Sequence, residues 1–132
     1  MPYMVSEYGG IKWTPDMFTN ENSDRRKAWG YGNAVKSLEE FVDRFCRQTA
    51  AIMATPNVMG LCYTQLTDIE QEQNGLYYYD RTYKWDEEIY AKFRETLSKK
   101  AAIEDCPHQK TTINRKKRYR QISFCLYRFY SV

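Results

Sequence analysis

Apolar positions along this chain recur with two different periods, and the switches between them set out its elements in order. Residues 2–6, PYMVS, form a short apolar run with strand character; Pro2 is tolerated at a strand's first position, and Gly9 and Gly10 end the run. Residues 11–33 hold Pro15, several Asn, Asp and Ser and the glycines of WGYG, which predicts a long loop. Trp13, Phe18, Trp29 and Tyr31 argue against disorder there, because aromatics are scarce in disordered segments. From Ser37 the period turns helical. Leu38, Phe41, Val42, Phe45, Cys46 and Thr49 fall on one face, Ser37 and Glu40 make a capping-box pattern, and Pro56 stops the helix. VMGLCYTQLTD (58–68) then predicts a second strand, which runs into the polar, acidic DIEQEQNG. LYYYD (76–80) reads as a short extended segment. DEEIYAKFRETLSKKAA (86–102) predicts a second helix, with acids in its first turn and lysines in its last to suit the helix dipole.

The order strand, helix, strand, helix is that of a parallel α/β protein. Two strands are few for one. A parallel pair needs neighbours on both edges and cover on both faces, and two helices supply only part of that. The pattern therefore predicts either assembly through exposed strand edges, self-association included, or the end of a larger sheet or barrel.

Composition sharpens this only in places. The chain has 132 residues, enough for one domain, and its 42% hydrophobic and 28% charged content is globular. Twelve tyrosines suit either a wet, polar-ligand cleft or a core. The net charge of +3 is unevenly spread: from His108 onward there are seven Lys/Arg and no acid, so all 17 Asp/Glu lie in a mildly acidic body. Cys46, Cys62, Cys106 and Cys125 form no C-x-x-C pair, and with His108 as the one histidine there is no zinc constellation. Buried or free thiols are expected, and neither metal nor cofactor. No secretion signal opens the chain and no apolar run is long enough to span a bilayer, so a chain complete at Met1 is expected in the cytoplasm and off the membrane.

The chemistry centres on SEYGG. In a (β/α)8 barrel the active site lies at the C-terminal ends of the strands. Glu7 sits at such an end, as do Gln65, Asp68, Glu70 and Glu72 after the second strand, and both groups would face one mouth. A carboxylate there suits the nucleophile or the proton donor of glycoside hydrolysis. The plainer reading is an acid that caps a loop.

PYMVSEYGGIKW, WGYG and VMGLCYTQLTDIEQEQNGLYYYDR, in that order, resemble the end of the catalytic barrel of family-two glycoside hydrolases, the relatives of β-galactosidase and β-glucuronidase. The resemblance covers residues 2–105. It implies that residues 1–107 are a C-terminal fragment of a (β/α)8 barrel, about its last two βα units, with the two strands as the seventh and eighth. It also implies that Glu7, in the family's [ST]-E-Y-G motif, is the nucleophile of a retaining hydrolase. The family's acid/base glutamate lies in an Asn-Glu pair on an earlier strand. The one Asn-Glu here, Asn20-Glu21, follows the first strand, so the chain alone is expected to be inactive.

A carbohydrate substrate is the expected partner. Tyr8 would contact the sugar or Glu7, or pack into the barrel top. Trp13 and Trp29 would stack on a sugar ring or pack in their loop. Tyr63 and Gln65 alternate onto one side of the last strand, and Gln65 is the better candidate for a hydroxyl contact. Asp68 would bind sugar hydroxyls or a cation, or belong with Glu72 to a solvated loop. Residues 108–132 read as a solvated, disordered tail or the product of a shifted reading frame, rather than as an arm for nucleic acid. The competing function is a non-catalytic carbohydrate-binding or relic domain.

Overall fold

In the computed structural model, which describes residues 1–13 and 29–105, the elements follow the order of the hydrophobic pattern: β1 (Tyr3–Gly9), α1 (Leu38–Met53), β2 (Val58–Thr64), α2 (Glu87–Ser98) and a final 3-10 turn (Ala102–Asp105). The strands pair in parallel as a two-stranded sheet, which makes the described residues a small α/β unit. The predicted long loop lies in part, and the basic tail in full, outside the described residues.

Helix α1 forms where its 3.6-residue period and its cap agree. Ser37 is extended, and its Oγ accepts from the Glu40 N–H at 3.2 Å. The Glu40 carboxylate reaches back to the Lys36 N–H at 2.8 Å, one residue earlier than a standard capping box. Phe41, Phe45, Thr49 and Met53 are buried on its inner face. Helix α2 starts with Glu87 and Glu88 in its first turn but ends at Ser98. The lysines expected in its last turn therefore lie beyond it: Lys99 is its extended C-cap and Lys100 pairs with Asp105. The segment read as extended, LYYYD, is a turn in which Tyr77 alone bridges, to Thr67 and Tyr83.

Both helices cover one face of the sheet. The core joins Phe41 and Phe45 of α1 to Phe93 and Tyr90 of α2, with Tyr63 of β2 and Trp13, Trp85 and Leu76 from the connections. The Phe45 and Phe93 rings lie 4.4 Å apart, and Phe45 meets Tyr63 at 5.1 Å. Burying such rings contributes about 1.5–3 kcal/mol each before entropy is charged against it. A smaller cluster of Met53, Leu61, Ala101 and Ile103 closes the other end. The outer face of the sheet carries Met4 and Met59, which are more than half exposed.

The strand register slips twice. Val5 pairs with Leu61 and Tyr8 with Tyr63, so Ser6 and Glu7 together stand opposite Cys62 alone. This extra residue is a bulge, which breaks the pleat and turns a side chain out of its row. Val5 and Tyr8 point inward and are half-buried, whereas Ser6 and Glu7 are both exposed. β1 thus extends three residues past the predicted strand, and Glu7 lies within it, at the bulge, rather than after it.

Candidate functional site

Glu7 leaves the bulge into solvent, and among the described residues its hydrogen-bond partner comes from far along the chain: the Tyr31 hydroxyl donates to Glu7 Oε1. Glycines make this approach possible. Gly9 and Gly10 have φ of +94° and +58°, the left-handed region in which a side chain is strained. A Cβ at Gly10 would fall within the Tyr31 ring, and one at Gly9 within the ring of Tyr63. The Tyr31 N–H donates to the Gly10 carbonyl at 2.7 Å, and Gly30 sits against Lys12 and the same carbonyl. The GG of SEYGG and the WGYG segment are therefore two halves of one contact.

The second wall of the rim is the loop after β2. It opens with a cis Thr64–Gln65 peptide. The Trp29 N–H donates to the Gln71 carbonyl at 2.7 Å, and Trp29 forms an isolated parallel bridge with Glu72. The Trp29 and Tyr31 rings meet edge to face at 5.0 Å, and both stay largely exposed. The half-buried Glu72 carboxylate accepts from Asn74 Nδ2 at 3.3 Å, and Gln65 Nε2 donates to the Glu72 carbonyl at 3.3 Å. Glu7, Tyr31, Trp29 and Glu72 thus line one rim. The Tyr31 phenol is held above its ordinary pKa, chiefly by its bond to Glu7 and further by the charges of Glu7 and Glu72. It stays a neutral donor across the physiological range.

The other residues singled out in the sequence are placed differently. The Tyr8 hydroxyl shares a 2.9 Å hydrogen bond with Thr49 of α1, and burial pushes its pKa up to about 12. This is the packing reading of Tyr8, with its hydroxyl directed away from Glu7. Trp13 is 8% exposed and stacks on Trp85 with ring centroids 4.7 Å apart, so its faces belong to the core. Tyr63 is buried, donates to the Asn74 carbonyl at 3.3 Å, and has its pKa raised by that burial. Gln65 spends its amide on the Glu72 backbone and so shapes the rim from behind.

Asp68 departs furthest from the expectation of a sugar or cation ligand. Its two oxygens take Lys84 Nζ at 2.7 and 2.8 Å, and Oδ1 also accepts from the Gly75 N–H at 2.8 Å. Both side chains are buried, so Asp68 holds the loop rather than facing solvent. Among the described residues no group of three His, Cys, Asp or Glu is placed to hold a metal ion, and no helix is long and apolar enough to cross a membrane. A cleft of about 550 Å³ opens on the α1 side of Tyr31, bounded by Gly9, Arg44, Arg47 and Gln48. Glu7, Trp29 and Glu72 do not line it, and its arginines are engaged with Glu40 and Asp43.

Sequence reasoning missed Tyr31 as a partner of Glu7. The signal was present in WGYG: two aromatics at an i, i+2 spacing between glycines place both rings on one side of an extended segment. No protein-family model, curated protein or solved structure matches this chain.

Proposed function

We propose that this chain is the nucleophile-bearing part of a retaining β-glycosidase of the β-galactosidase and β-glucuronidase type, and that residues 1–107 form about the last two βα units of its (β/α)8 barrel. The observation that carries this reading is Glu7: an exposed carboxylate, turned out by a bulge at the C-terminal end of a parallel strand and held by a phenol donor. The order of SEYGG, WGYG and YTQLTDIEQEQNG supports it. Among the described residues the sheet has two strands and an open outer face, which supports a place in a larger sheet.

In this reading a Glu7 oxygen attacks the anomeric carbon, the bond to the leaving-group oxygen breaks, and a glycosyl ester forms on Glu7. Water, giving up a proton to the family's acid/base glutamate, then attacks the same carbon, and the Glu7 carboxylate leaves with net retention of configuration. The Tyr31 hydroxyl fixes the carboxylate's direction of attack. It also stabilises the charge that returns to Glu7 when the ester opens. The proton for the leaving group belongs to the family's Asn-Glu glutamate, which has no counterpart in this sequence before Glu7.

An activated 2-fluoro-β-galactoside with a dinitrophenolate leaving group needs no proton donor and tests the nucleophile directly. Mass spectrometry is expected to find one glycosyl adduct on Glu7, absent in Glu7→Gln, while an ordinary chromogenic β-galactoside or β-glucuronide is not turned over. An adduct elsewhere, or none, counts against the nucleophile. Rapid turnover by the chain, lost in Glu7→Gln, keeps the nucleophile and sinks the fragment reading. Saturable binding of an intact glycoside without any adduct favours the non-catalytic sugar-binding module.

A further inference from the structure

Glu72 and Trp29 are not accounted for by packing. Glu72 is pinned by its backbone: its N–H and C=O exchange bonds with Ile69 at 2.8 and 3.1 Å, and its carbonyl also takes the Gln65 amide. Its carboxylate is half-buried, yet among the described residues it pairs with no cation, and only Oε1 is engaged, by the Asn74 amide. Asn74 is fully buried, and its own Oδ1 has no hydrogen-bond partner among the described residues. Four solvated acids of the helices behave otherwise: Glu40, Asp43, Glu87 and Glu88 each pair with a lysine or arginine.

Trp29 is similarly held and similarly unspent. Its N–H is fixed to Gln71, and the edge-to-face contact with Tyr31 occupies one part of its ring. It remains 49% exposed, whereas Trp13 and Trp85 are buried and stacked on each other. A large indole face with a fixed backbone loses little freedom on covering a flat apolar ligand.

We propose that Trp29 and Glu72 form a pyranose-binding subsite beside Glu7, with the indole as the stacking face and the Glu72 carboxylate as acceptor for sugar hydroxyls. The inference rests on reading Glu7 as a group that attacks a sugar, and it names which of this chain's residues hold that sugar. The chemistry matches part by part. A pyranose presents a face of C–H groups and an edge of hydroxyl donors. Trp29 offers an apolar plane, and Glu72 offers an oriented acceptor, without a counter-charge among the described residues, whose bonds to hydroxyls are charge-assisted. Tyr31 ties the subsite to the nucleophile, since its ring meets Trp29 and its hydroxyl meets Glu7. The neighbouring acids make a poor home for the carboxylate of a uronic acid, so the subsite selects neutral glycosides.

The test is titration of the full chain with methyl β-D-galactopyranoside, methyl β-D-glucopyranoside and methyl β-D-glucuronide, followed by calorimetry and by saturation transfer from the protein to the sugar protons. Binding of a neutral glycoside is expected, with affinity falling at least about tenfold in Trp29→Ala and in Glu72→Gln, the loss of one stacking face or one charge-assisted bond. Trp29→Phe, which retains a ring, is expected to recover part of the loss, and unchanged melting curves exclude misfolding. Equal binding by wild type and both variants overturns the subsite. If the activated fluoro-glycoside still labels Glu7 at equal rates in all three proteins, the nucleophile stands and the subsite alone falls. If the wild type neither binds a glycoside nor takes the label, both fall. Binding of tetramethylammonium in place of glycosides, lost in Trp29→Ala, also overturns it, because an indole beside carboxylates would then be serving a cation.

Discussion

The ends of the two strands each deliver an acid, and the two acids have opposite fates. Glu7 follows β1's bulge into solvent with a neutral phenol as its partner. Asp68, four residues past the end of β2, is buried against Lys84 with a backbone N–H on the same carboxylate. Both lie near the C-terminal end of a strand, Glu7 just before it and Asp68 just past it, and nothing local foretells their different partners. The difference is the partner that the distant chain supplies. A buried ammonium leaves Asp68 no exposed oxygen to offer a ligand, and the pair serves to fix the loop that carries Glu72. A phenol leaves the charge on Glu7, and an exposed charge is available for chemistry. An acid near a strand end is thus a site candidate only until its counter-ion is known.

This contrast can be broken most directly by neutralising each acid. Asp68→Asn strands the Lys84 ammonium in the interior and is expected to cost about 3–5 kcal/mol, the usual penalty for splitting a buried pair. Glu7→Gln removes only an exposed charge and is expected to leave the denaturation midpoint nearly where it was. Chemical denaturation of the two variants gives the answer, and equal midpoints would erase the distinction.

The same comparison extends to the tryptophans. Trp13→Ala empties a place in the core beside Trp85 and Phe41, and about 3–5 kcal/mol of stability is expected to go with it. Trp29→Ala, on the rim, is expected to melt close to the wild type. A large destabilisation by Trp29→Ala would make Trp29 a packing residue and remove the case for a stacking face.

The smallest expected effect is in alkali. Tyr8 has its pKa raised from 10.0 to about 12, first by burial, so the folded protein holds a proton that the unfolded chain releases. That contribution is complete below pH 10 and is lost as pH rises from about 10 to 12. Stability should fall across that window, and Tyr8→Phe, which cannot ionise, should flatten the fall. An unchanged slope in Tyr8→Phe would place the Tyr8 hydroxyl in solvent, on the same side as Glu7.

Much of the frame was legible because it depends on local rules. The 3.6-residue recurrence from Leu38 to Thr49 predicts α1 and its buried face, and the Ser37 cap is visible three residues from its partner. Two apolar runs separated by a helix predict a parallel pair. Helix ends were less legible: Lys99 and Lys100 look like a final helical turn, but the chain straightens at Lys99. The rim was least legible of all. Tyr31 reaches Glu7 across 24 positions, and Lys84 reaches Asp68 across 16. Such distances carry no periodic signature.

By itself, then, the sequence determined the order of the elements, the inner face of α1 and the glycine pair at the end of β1, because each follows from spacing, capping or backbone sterics within a few residues. The tertiary structure alone decided which polar groups meet. It placed the bulge at Ser6–Glu7, gave Glu7 a phenol and Asp68 an ammonium, buried Trp13 and left Trp29 open. The physical reason is that burial and counter-charge belong to the packed arrangement of segments far apart in the chain. They set the energy of an ionised or aromatic side chain more strongly than its neighbours in sequence do.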